Sequence, residues 1–147
     1  MLDVTAHVNA LADEVHALLE ERDRILVAIA GPPGCGKSTL AGELVRRLRL
    51  QRVPTEVVSL DGFLLDSAVL EARGLKLRKG APESHDAGGF LHFVSRLRAG
   101  EDVVAPVYDR GRDVAVANAL SVPAGCPVVV LEGSYLMFDE APWADLA

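Results

Sequence analysis

Gly31-Pro32-Pro33-Gly34-Cys35-Gly36-Lys37-Ser38 follows the pattern G-x-x-x-x-G-K-[ST], and its surroundings decide how it is read. Before it runs Ile25-Leu26-Val27-Ala28-Ile29-Ala30, an apolar stretch with the length of a buried strand. After it, Thr39-Leu40-Ala41-Gly42-Glu43-Leu44-Val45-Arg46-Arg47-Leu48 suits a helix extending to about Leu50. Strand, glycine-rich loop and helix in that order make a phosphate cradle. Glycines let the loop curl so that successive N–H groups face an anion, and the helix start adds its positive dipole end. Gly31, Pro32, Pro33, Gly34, Cys35, Gly36, Lys37, Ser38 and Thr39 are therefore the expected nucleotide-binding residues. Lys37 supplies a mobile cation for the β- and γ-phosphates, and Ser38 offers a hydroxyl to Mg²⁺. The plain alternative, a glycine-proline turn ahead of Lys-Ser, gives no reason for a strand and a helix on its flanks. The motif implies a bound nucleoside triphosphate.

The chain of 147 residues has the size of a single domain, residues 1–147, and its 50% hydrophobic content supports a packed core. A net charge of −6 argues against a nucleic-acid partner. Local basic clusters, Arg73-Lys76-Arg78-Lys79 and Arg110-Arg112, suit a small anionic ligand better than a polymer. The acidic N-terminal segment does not read as a signal peptide, and no apolar run approaches the roughly 18 residues of a membrane span. Cys35 and Cys126 are too few for a disulfide framework. Two reduced thiols and no membrane segment lead to the expectation of a cytoplasmic protein.

Val4, Val8, Leu11, Val15, Leu18 and Leu19 recur at helical spacing, so residues 1–22 are expected to form a leading amphipathic helix outside the nucleotide core. Glu56–Leu60 reads as a second strand and Leu64–Ala72 as a short helix. A Gly-rich, charged loop follows from Gly74 to Gly89, then a helix on Phe90, Phe93, Val94 and Leu97, closed by Gly100. Val103–Tyr108 reads as an edge strand holding Pro106, and Ala115–Ala117 with Leu120–Val122 as a small hairpin or flap. Pro127–Glu132 is a continuous apolar strand of the kind parallel sheets bury. The order implies an α/β fold, a parallel sheet flanked by helices, with residues 74–122 inserted. Such sheets bind ligands at the strand C-terminal ends.

Two carboxylates are expected at that edge. Glu132 ends the apolar run as a Walker B acid does, and is the candidate second holder of Mg²⁺, through water. Asp61 ends the second strand ahead of Gly62 and Phe63. It could take the proton of an incoming hydroxyl, or be a turn-forming Asp-Gly without chemistry; local sequence leaves both open.

Taken together, Gly31–Ser38, Asp61-Gly62-Phe63 and Val129–Gly133 resemble the uridine kinase, phosphoribulokinase and bacterial pantothenate kinase family, a set of P-loop kinases. The branch it is most similar to comprises bacterial proteins labelled as sugar or fructose-transport-associated kinases. The resemblance implies that Asp61 is the base activating the acceptor hydroxyl, with Lys37 as its catalytic companion, and that Glu132-Gly133 matches the family's acidic strand end. Arg78–Asp86 and Pro106-Val107-Tyr108-Asp109-Arg110 resemble the segments lining the acceptor pocket. His85, Asp86, Tyr108 and Arg110 become candidate substrate residues, although Ser84-His85-Asp86 could equally cap a helix. Arg110 and Arg112 are candidates for an anionic acceptor or the phosphates, against the commoner case of solvated arginines. Phe138 and Trp143 read as packing residues.

The expected activity is transfer of the γ-phosphoryl of ATP, with Mg²⁺, to a hydroxyl of a sugar, nucleoside or pantothenate-like compound. The alternatives are a nucleotide-binding regulatory or degenerate module, and a hydrolase using water. Family members continue past the point matching Ala147 with a further strand and an arginine-bearing lid. The resemblance therefore implies a fold incomplete at its C-terminal side, a central strand open along one side, and a homodimer as one way to cover it.

Overall fold

The computed structural model describes residues 4–31 and 36–136. Pro32, Pro33, Gly34 and Cys35 of the phosphate loop, and Phe138 and Trp143, lie outside the described residues. The element order is α1 (Thr5–Leu19), β1 (Ile25–Ala30), α2 (Lys37–Leu50), β2 (Thr55–Ser59), α3 (Ser67–Ala72), α4 (Ala87–Arg98), β3 (Val103–Asp109), β4 (Val114–Val122) and β5 (Val128–Gly133).

β5 is the centre of the parallel sheet, whose order is β1-β5-β2. Its register runs Ile25↔Val128 to Ala30↔Gly133 on one flank and Thr55↔Val128 to Ser59↔Glu132 on the other. All six of its residues are buried. The expectation that the central apolar strand would be open along one side is thus corrected: ladders satisfy it on both sides, and among the described residues the outer flanks belong to β1 and β2.

Alternation along β5 divides the core into two layers. Val128 and Val130 join Ile29, Ala41, Leu44, Leu48, Ala12 and Val15 under α1 and α2. Val129 and Leu131 join Phe90, Val94 and Leu97 of α4, with Val103 and Val122, on the opposite face. Val8, Ala12 and Val15 place the buried stripe of α1 against this core, so the helix expected outside it is part of it.

β3 and β4 form a separate antiparallel pair, Val103↔Val122 through Asp109↔Val114. The sequence expectation paired 115–117 with 120–122; instead both lie on β4 and pair with β3. The register shifts between Ala105 and Val107, where Pro106 has no N–H to donate, and Asn118 at φ 56° absorbs the irregularity on the partner. α4 begins three residues ahead of Phe90, because the Asp86 carboxylate accepts the Gly89 N–H at 3.0 Å and caps it. Among the described residues no helix is long and apolar enough to cross a membrane.

Candidate active site

Three segments converge at the C-terminal edge of the parallel sheet. Gly36, at φ +91°, occupies the left-handed region that glycine tolerates and turns the chain into α2, so that Lys37 and Ser38 start the helix. Asp61 lies two residues past β2 in a tight turn, Leu60–Phe63, whose cap is the Ser59 hydroxyl accepting the Asp61 N–H at 3.1 Å. Phe63 pins that turn to α4, edge-on to Phe90 at 5.0 Å and tilted against Phe93 at 5.6 Å. Gly62 is buried where a Cβ would meet the Pro106 carbonyl oxygen at 2.5 Å, so a glycine there lets β3 close against the turn. Gly133 serves likewise: a Cβ would stand 2.6 Å from that of Leu60. Both glycines bring a carboxylate-bearing segment tight against its neighbour.

A cavity of about 340 Å³ opens between these segments and the β3–β4 pair. Ser38, Asp61, Tyr108, Arg110 and Glu132 all line it, with Val57, Pro106 and Leu120 among its apolar walls. Lys37 sits at the start of α2 beside it and is not among the lining residues; Thr39 is exposed on the same turn. Glu132 is only 9% exposed, and among the described residues its carboxylate has no hydrogen-bond or ion-pair partner. A nearly buried carboxylate with uncommitted lone pairs, sharing a cavity with a serine hydroxyl, is a set of hard oxygen donors. It fits Mg²⁺, which takes one or two protein oxygens and completes its shell with water and phosphate.

Asp61 pairs with Arg110, Nη2 to Oδ2 at 3.0 Å. Tyr108 lines the cavity, but its hydroxyl is engaged elsewhere. It donates to Asp113 and accepts from Lys79 Nζ at 3.0 Å, while Lys79 also holds Asp113 at 2.8 Å. The ammonium lies 5.4 Å from the tyrosine ring centroid. This cluster ties the loop before α4 to the tip of the hairpin. Arg112 bonds to Asp109 and holds its carboxyl below the usual range.

His85 and Asp86 do not line the cavity. His85 is buried, its Nδ1 donating to the Ala81 carbonyl at 3.1 Å and its ring 5.5 Å from that of Tyr135. Burial pushes its pKa below 6.5, against opposing pulls from backbone hydrogen bonds and the Asp61 charge. Asp86 serves as the α4 cap described above. Cys126 is buried, and desolvation raises its thiol pKa. Sequence reasoning passed over Ser59, whose signal, a strand-end hydroxyl, is too common to stand out; Lys79, counted there in a basic cluster suited to a small anion, instead holds Tyr108 and Asp113.

The sequence model of the Phosphoribulokinase / Uridine kinase family matches residues 26–147. This chain belongs to that family. Its fold is the P-loop NTPase fold, a parallel sheet flanked by helices. A pantothenate kinase from Streptomyces avermitilis is 39% identical over 126 residues, covering 82% of this chain and 37% of that protein. The protein YggC of Escherichia coli, described as uncharacterized, is 34% identical over 126 residues, 84% of this chain and 52% of its own length. The chain thus spans about half or less of these curated relatives. Among solved structures, a "putative fructose transport system kinase" from Silicibacter sp. TM1040 superposes with a TM-score of 0.82 at 46% identity, covering 92% of this chain and 68% of that one. A "possible uridine kinase" from Bacillus stearothermophilus shares the fold at a TM-score of 0.77 and 20% identity, over 99% of this chain and 78% of that one.

Proposed function

We propose that the chain carries the phosphoryl-transfer site of an ATP-dependent kinase acting on a hydroxyl of a small metabolite. One observation carries the proposal: Ser38, Asp61 and Glu132, from three separate segments, line one cavity at the C-terminal edge of the sheet. In this reading Lys37 and the amides of the phosphate loop neutralise the triphosphate. Ser38 and Glu132 would hold Mg²⁺, which when bound spreads the charge of the phosphate oxygens. Asp61 orients the acceptor hydroxyl and takes its proton as the oxygen bonds to the γ-phosphorus. The bond from that phosphorus to the bridging oxygen breaks, and ADP leaves. A loose phosphoryl transition state asks mainly for positioning, so an ordinary carboxylate suffices as base. The names of the relatives span pantothenate, fructose transport and uridine, which keeps sugars, nucleosides and pantothenate-like compounds in view as acceptors.

The test is ADP release with ATP and Mg²⁺ against a panel of those three classes. A kinase stays nearly idle until its acceptor is added. Asp61→Asn should then lower kcat by about 100-fold or more while ATP affinity stays within a few-fold. Equal ADP release without any acceptor would indicate a hydrolase. Turnover of Asp61→Asn close to the parent would remove Asp61 from the base role.

A further inference from the structure

Arg110 follows β3 directly, and its guanidinium spans 49 residues of sequence to reach the Asp61 carboxylate. The other basic side chains near the hairpin are committed to partners outside the cavity. Lys79 holds Asp113, Arg112 holds Asp109 at 2.7 Å, and Arg78 holds Glu83 at 2.6 Å. Among the described cavity-lining residues Arg110 is the one cation, set against two acids, Asp61 and Glu132. Its side chain is 82% exposed and that of Asp61 42%. A pair this open to water is weakly held and yields readily to a better-placed oxyanion. The pair also commits Asp61 Oδ2, so a base at Asp61 works best when the guanidinium has another anion to grip.

We propose that Arg110 is a specificity residue that changes partners, moving from Asp61 to a carboxylate or phosphate on the acceptor. The site then favours acceptors whose oxyanion lies a few bonds from the reacting hydroxyl. This rests on the reading of Asp61 as the base. A guanidinium offers five N–H donors in a planar fork, and the contact with Asp61 uses one of them. The remaining donors match a carboxylate or phosphate edge in bidentate fashion. Neighbouring walls from Val57, Pro106, Val107 and Leu120 offer no competing charge, and the Tyr108 hydroxyl is already engaged. An anionic acceptor finds in Arg110 the one cation among the described lining residues, whereas a neutral acceptor leaves the guanidinium on the base. Selection and release of Asp61 are thus one event.

The experiment uses matched acceptors that differ in the oxyanion: glycerate against glycerol, and ribose 5-phosphate against ribose. In the full-length protein, kcat/KM should favour the charged member of at least one pair, chiefly through KM, and the preferred pair distinguishes carboxylate from phosphate. Arg110→Ala should shrink that charged-to-neutral ratio by about ten- to a hundred-fold, and Arg110→Lys by less. Calorimetric binding gives a readout independent of turnover. Asp61→Asn frees the guanidinium, so it should bind the charged acceptor at least as tightly as the parent, and adding Arg110→Ala should abolish the gain. Loss of turnover in Asp61→Asn tests the base; the ratio and the calorimetry test Arg110, so either can fail alone. Neutral acceptors used as well as charged ones, an unchanged ratio in Arg110→Ala, or weaker anion binding by Asp61→Asn would overturn the proposal.

Discussion

His85 lies buried between the loop before α4 and Tyr135, and burial holds its pKa below 6.5. In the unfolded chain the ring protonates near 6.5, whereas in the folded protein it resists. The unfolded state therefore binds more protons in the window below 6.5, and stability falls as pH drops through that window towards the folded value. We expect the parent's Tm to decline between pH 7 and pH 5.5 more steeply than that of His85→Gln; parallel Tm–pH curves would show that another group governs the slope. Individual residues were unevenly legible in the sequence. Asp61 and Glu132 stand out because each follows an apolar strand. The engagement of Tyr108 and Asp113 by Lys79 could not be read, because Lys79 lies 29 and 34 residues away from them along the chain. Asp86 permitted two readings, and its bond to the Gly89 amide is the cap of the second.

Elements are positioned here by close backbone approaches as much as by apolar burial. Gly62 lets β3 pack on the turn that carries Asp61, so Gly62→Ala should do more than fill space. Its methyl would meet the Pro106 carbonyl oxygen, a backbone atom with little freedom to give way. A loss of about 1–3 kcal/mol in urea unfolding is expected, with a larger fall in turnover than Gly42→Ala, where a Cβ meets nothing within 4 Å. Equal behaviour of the two variants would show that β3 shifts freely. β1, α2 and β5 were readable within two residues, because a buried strand and an amphipathic helix are encoded by local periodicity. The β3–β4 hairpin was not. Its register depends on a bulge at Pro106 and on positive φ at Asn118 and Asp113, and such features produce no alternating pattern.

At the scale of the molecule, the cavity end of the sheet is matched by an arginine clamp at the other end. Arg24, just ahead of β1, donates from all three guanidinium nitrogens to the carbonyls of Leu97, Glu101, Pro123, Ala124 and Cys126, at 2.6–3.2 Å. It thereby joins the end of α4 and the approach to β5 to the first strand. Removing it leaves carbonyls without their donor, and Arg24→Ala should cost about 2–3 kcal/mol in chemical unfolding. Arg24→Lys should recover little of this, since an ammonium cannot reproduce the fork; full recovery would mean that charge alone matters. By itself the sequence determined the strand–loop–helix unit, the continuous apolar β5 and the chain order of the phosphate loop and the two acids, because each is a short-range pattern of residue types. Tertiary structure decided that β5 lies between β1 and β2, that α1 belongs to the core, and that Arg110 rests on Asp61. Those outcomes depend on which distant segments meet, and that is settled by the packing of both faces of one sheet rather than by any local run of residues.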